Sequence, residues 1–152
     1  MKLIELASAI TSLFPFMILE NLGSITSVFY HIHKNEFMYK LVYISRHVDL
    51  LRLGYVLKGS FDYMELIFNF LSIVIIYKSN TDDKNYMDIN LMIGVIKSTF
   101  GIPKLQYIVS LYFWMIAFII HYDTIYGKYT DILVNLLLCP PQYLLKNNIL
   151  NV

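Results

Sequence analysis

The stretch FMYKLVYISRHVDLLRLGYV, residues 37–56, places Arg46, His47, Asp49 and Arg52 inside a run of otherwise mostly apolar and aromatic side chains. A run of this length predicts a single helix, because about 20 residues at about 1.5 Å each match a hydrocarbon core about 30 Å thick. Ionisable groups in such a setting cost several kcal/mol each unless they turn inward and find partners. Arg46 and Asp49 are three residues apart, so they share a helix face and can pair. His47 points about 100° away from Arg46. Two readings of the stretch stand side by side. In one, Arg46 and Asp49 form an internal ion pair and Arg52 reaches back to the interface. In the other, Arg46 offers its fork of donors to a ligand carboxylate while Asp49 positions it.

Outward from this stretch, the same length criterion picks out four more segments. With 37–56 they make about five expected spans: 3–30, 37–56, 61–77, 105–122 and 129–145. The first is interrupted by Pro15 and by Glu20-Asn21, and a kink is expected at Pro15. Between the third and fourth lies 78–104, whose apolar piece 89–96 is too short to span and fits an interfacial helix or a re-entrant turn, with an inserted loop of no role the favoured reading. The whole chain, 1–152, therefore reads as one all-α, polytopic transmembrane domain, with no repeat, linker or low-complexity tract. Lysines fall mainly on one side of the expected layer if the N-terminus is luminal, with Lys34, Lys78, Lys84, Lys97, Lys104 and Lys146 cytosolic.

Composition agrees with that reading. Hydrophobic residues make up 57% of the chain and charged residues 15%, with 13 Tyr and 10 Phe, against about 25% charged in an ordinary soluble domain. Mean hydropathy is +0.56. A net charge of +1 provides no field for nucleic acid. The single Cys139 excludes an internal disulfide and a cysteine-based metal cluster. No nucleophile–base pair, metal-ligand spacing or glycine-rich phosphate loop points to an enzyme or a cofactor. Glu20, Glu65, His31 and His33 sit near span edges or loops, where solvated side chains are the ordinary case.

Ser45-Arg46-His47-Val48-Asp49-Leu50-Leu51 resembles the ARYLDL or TRYLDLL signature of the ER lumen protein-retaining (KDEL) receptors. The likeness continues in order. Lys34-Asn35-Glu36 resembles the family's K-x-Q and Ser98-Thr99-Phe100 its D-T-F. The run from Ala117 to Asp123 resembles its A-F-L-V-N-H-D-F, and Leu138 to Lys146 the stretch around its I-L-P-Q. The resemblance implies the first five helices of a seven-helix fold akin to PQ-loop transporters. It implies an ER and Golgi membrane location and binding of C-terminal KDEL-type signals for Golgi-to-ER retrieval. The lipid bilayer and vesicle coat proteins are the further partners implied. The ligand site it implies is Arg46 and Asp49, with His47 where the family has Tyr and Asn135 where it has Glu. Glu5 stands where the family has Arg, and Ser12 where it has His. The family's last two helices have no counterpart after Gln142, so a shortened receptor that binds signals weakly or not at all by itself is expected. The alternative of another class is a small PQ-loop-type transporter acting as an oligomer. Arg46 and Asp49 would line its path. Pro140-Pro141 reads mainly as a helix terminator and otherwise as a hinge.

Overall fold

The computed structural model describes residues 2–80, 84–99 and 130–146, and these form six α-helices with no strand. In chain order they are α1 (Leu3–Leu19), α2 (Leu22–Ile32), α3 (Glu36–Lys58), α4 (Tyr63–Lys78), α5 (Lys84–Thr99) and α6 (Thr130–Lys146). The all-α expectation holds. The expected segment 105–122 and the motif around His121 lie outside the described residues.

Local chemistry sets most helix ends. Asn35 caps α3 by accepting from the Met38 N–H at 2.8 Å, and Asp62 caps α4 by accepting from Met64 at 2.7 Å. Gly59 ends α3 with φ of 74°, a conformation that glycine adopts without a Cβ clash. The expected first span is two helices. The break falls at Glu20, which takes up a left-handed conformation with φ of 56°, while Pro15 lies buried inside α1. At the other end of the chain α6 runs through Pro140 and Pro141 to Lys146, so the proline pair does not terminate it.

The helices pack as two groups. α1 lies against α2 and α6, whereas α3 lies against α4 and α5, which also touch each other; α2 and α3 join the groups. The segment expected to be an inserted loop is α5, a full packing partner. Its Asn90 donates to Ser72 Oγ at 2.7 Å, and Ser98 Oγ reaches the Leu50 carbonyl at 3.4 Å. Tyr43, Ile76 and Met87 form an apolar cluster joined by Tyr39, Ile44 and Leu91. Leu50 is buried under α5, against Gly94.

Two corrections follow from helix length and side-chain placement. Among the described residues no helix is long and apolar enough to cross a membrane, which overturns the reading of a multi-pass protein of ER and Golgi membranes. The reason is concrete. α1 and α6 have 17 residues, α4 and α5 have 16, and α2 has 11, below the roughly 20 a span requires. α3 has 23 residues, but Glu36, Lys40, Arg46, Asp49, Arg52 and Lys58 are spread along it. The orientation drawn from lysines loses its basis with the spans. The second correction concerns Glu65 and His31. Both are buried rather than solvated, Glu65 paired with Lys58 and His31 with Glu5.

Beside the apolar cluster around Tyr43, polar side chains fill much of the interior and many large apolar ones stand exposed. Ser12, His47, Asn69, Ser98 and Thr99 are almost completely buried, while Leu3, Met17, Val56, Met64, Phe70 and Tyr77 are more than half exposed. Large exposed apolar areas associate with one another or with amphiphiles. The purified chain is expected to be monodisperse in mild detergent and to self-associate on detergent removal, as read by light scattering; a monodisperse monomer in plain buffer would contradict this. A second outcome rests on Gly54, where a Cβ would collide with the Glu65 carboxylate bound to Lys58. Gly→Ala inside a helix ordinarily stabilises by about 1 kcal/mol. Gly54→Ala should reverse that sign and destabilise by about 1–3 kcal/mol, because it displaces a buried charge pair. Denaturant unfolding checks it.

Candidate functional site

The break between α1 and α2 leaves carbonyls free at the end of one helix and N–H groups free at the start of the next. Asn21, at the N-cap position of α2, makes no side-chain capping bond. That role falls to α3. Asp49 Oδ1 accepts from the Leu22 N–H at 2.9 Å and its Oδ2 from the Gly23 N–H at 2.7 Å. One turn on, Arg52 donates to the Leu19 carbonyl at 2.6 Å and to the Glu20 carbonyl at 3.2 Å. An anion thus faces the positive start of α2 and a cation the negative end of α1. Asp49 and Arg52 therefore hold the chain at its break. Burial pushes the Asp49 carboxyl above the ordinary aspartate range, against the pull of the two N–H donors and of Arg46 and Arg52.

Arg46 is the residue left without such a partner. No hydrogen bond or ion pair engages its guanidinium among the described residues, and the expected Arg46–Asp49 ion pair is not formed within 4.0 Å. The side chain is half-buried. Its stem crosses α2 at Gly23, where a Cβ would stand 2.6 Å from Arg46 Cγ and 3.1 Å from Asp49 Oδ2. Five N–H donors on a half-buried, permanently charged group suit a planar oxyanion. The chain's other arginine, Arg52, is already committed to carbonyls.

His47 is fully buried against α4, with 0% exposure. Asn69 on α4 donates its Nδ2 to the Glu65 carbonyl at 2.9 Å, which turns its Oδ1 toward His47 Nδ1 at 2.8 Å. That orientation assigns the proton to Nδ1 and leaves Nε2 as an acceptor. Nε2 is buried with no hydrogen-bond partner among the described residues. Burial lowers the pKa of the imidazole below its usual value, opposed by the Asn69 bond. A neutral ring in this place anchors α3 to α4 and does not join Arg46.

Asn135 is likewise drawn into the interior, away from Arg46. Its Nδ2 donates to Ser12 Oγ at 3.0 Å and lies 3.4 Å from Thr11 Oγ1, while Ser12 Oγ is 3.1 Å from Ser27 Oγ. Ser12, Ser27 and Asn135 thereby tie α1, α2 and α6 through buried polar groups. At the far end of α1, Glu5 meets His31 Nδ1 at 2.9 Å and the Lys34 ammonium. Burial raises the Glu5 pKa, but the Lys34 and His31 hydrogen bonds and charges outweigh it and hold the carboxyl below its usual value.

Of the four residues expected in a ligand site, the structure keeps Arg46 and Asp49 on one face and separates His47 and Asn135 from them. Sequence reasoning missed Gly23, Asn69 and Ser12 as structural partners. The legible sign for Asn69 was an amide in the middle of an apolar run; Ser12 was marked only as standing where the resembled family has His, and Gly23 carried no sign beyond small size. Comparison with family models, curated proteins and solved structures finds no match to this chain.

Glu5 supplies a pH test of this bundle. Its folded pKa lies below the ordinary carboxylate value, so it stabilises the fold above that value and the contribution is lost as pH falls through the folded one. Melting temperature should therefore drop on acidification below about pH 4.5, and Glu5→Gln should flatten that part of the profile; an unchanged acid limb would show that the Glu5 cluster is energetically silent.

Proposed function

We propose that this chain is a receptor-like binding protein, related in lineage to the retrieval receptors, that holds the free C-terminal carboxylate of a KDEL-type signal at Arg46. The observation that carries the reading is the half-buried Arg46 guanidinium, unpartnered among the described residues. A charged group in that position stays costly until an anion arrives, and an arginine fork recognises a carboxylate through two parallel hydrogen bonds. The colinear motif resemblance supplies the ligand class. Binding rather than catalysis is proposed, because among the described residues no nucleophile with a base stands beside Arg46. The transport alternative needed Arg46 and Asp49 together along a path. Both Asp49 oxygens are engaged by Leu22 and Gly23, which takes the carboxylate out of that pairing and favours the binding reading.

The test is calorimetry with a peptide ending in Lys-Asp-Glu-Leu, carrying either a free carboxylate or a C-terminal amide. The free acid is expected to bind at least about tenfold more tightly than the amide, about 1.4 kcal/mol, and Arg46→Ala should remove that difference. Equal affinity for acid and amide, or full binding by Arg46→Ala, would overturn the assignment. Uptake of a labelled solute into vesicles holding the chain would favour transport instead.

A further inference from the structure

Resting on the reading of Arg46 as the carboxylate-holding group, we propose that Asp49 is a positioning residue acting on Arg46 through Gly23. It holds the first turn of α2 so that Gly23 is seated against the Arg46 stem, and it makes no contact with ligand.

Three observations meet at this point. Asp49 uses one oxygen for the Leu22 N–H and the other for the Gly23 N–H, so each oxygen already has a donor. The Arg46 stem lies so close to Gly23 that an added Cβ would be 2.6 Å from Arg46 Cγ. Arg52 fixes the preceding helix end through the Leu19 and Glu20 carbonyls, so the α1–α2 junction is registered on α3 from both sides. A side chain with many rotatable bonds gains affinity when its rotamers are limited before the ligand arrives. The Gly23 backbone is the wall that limits them here, and Asp49 holds the wall in place. Placing Arg46 and Asp49 three residues apart on α3 lets one helix carry both the binding group and the group that fixes its wall. An asparagine here has one acceptor oxygen, so it keeps one of the two N–H bonds while its NH2 group faces the other donor.

Arg46 and Arg52 are the chain's two arginines, so arginine-labelled protein in detergent shows two Nε–H signals, assigned by loss of one in Arg46→Lys. In Asp49→Ala the Arg46 Nε–H order parameter should fall, whereas in Asp49→Asn, which keeps one of the two acceptor oxygens, it should fall less. Affinity for the Lys-Asp-Glu-Leu peptide should weaken about tenfold in Asp49→Ala and in Gly23→Ala, with Asp49→Asn falling between these and the parent. Far-UV circular dichroism confirms that each variant read in this way is folded. Asp49→Asn with the parent's Arg46 order parameter but the affinity of Asp49→Ala would overturn the proposal in favour of direct charge contact with ligand. An unchanged Arg46 order parameter in Asp49→Ala would overturn it as well. If Arg46→Ala leaves peptide binding intact, the functional reading falls by itself, and the order parameters still decide the positioning role. Asp49→Asn serves the same purpose if either small-residue variant fails to fold.

Discussion

Everything in this bundle hangs on the way α3 grips a broken neighbour. A helix interrupted at Glu20 exposes carbonyls and N–H groups that would each cost free energy if left unpaired. Asp49 and Arg52 meet those groups with charges of the sign each helix end prefers. The break is thereby a fixed junction rather than a loose loop. It sets where Gly23 lies, and Gly23 in turn sets where the Arg46 stem runs.

Polar ties of the same kind recur throughout the interior. Ser12, Ser27 and Asn135 join α1, α2 and α6, while His47 and Asn69 join α3 to α4. Asn90 with Ser72, and Ser98 with the Leu50 carbonyl, bring α5 onto the second group. The outside of the bundle carries the apolar side chains. Hydrogen bonds between helices also need close backbone approach. Gly23, Gly54 and Gly94 provide the close approach, each with another helix's side chain where a Cβ would stand.

Length explains why the membrane-spanning reading did not survive. Residues 3–30 form a long apolar stretch by composition, yet the chain turns at Glu20 and makes helices of 17 and 11 residues. Hydropathy adds up along a segment and is blind to a left-handed residue in its middle. The same blindness made 78–104 look like an inserted loop. The 16-residue helix α5 has modest apolar content along its length, but Gly94 and its polar partners seat it against Leu50 and Phe68.

From residues alone came the all-α class, the helix at 37–56 and the importance of its charges. Period, composition and the cost of an isolated charge act locally and leave marks in order along the chain. The caps at Asn35 and Asp62 and the stop at Gly59 act just as locally, but they were read only from the structure and not from the sequence. The partner of each charge was not written there. Arg46 and Asp49 have the spacing of an ion pair, but Asp49 turns to N–H groups 26 and 27 residues away in sequence. His47 and Asn135 looked like neighbours of Arg46 by resemblance, yet α4 and α1 claim them. Only the tertiary structure decides such matters, because a hydrogen bond depends on which backbone groups a distant break has left unpaired, and spacing within one helix carries no record of that.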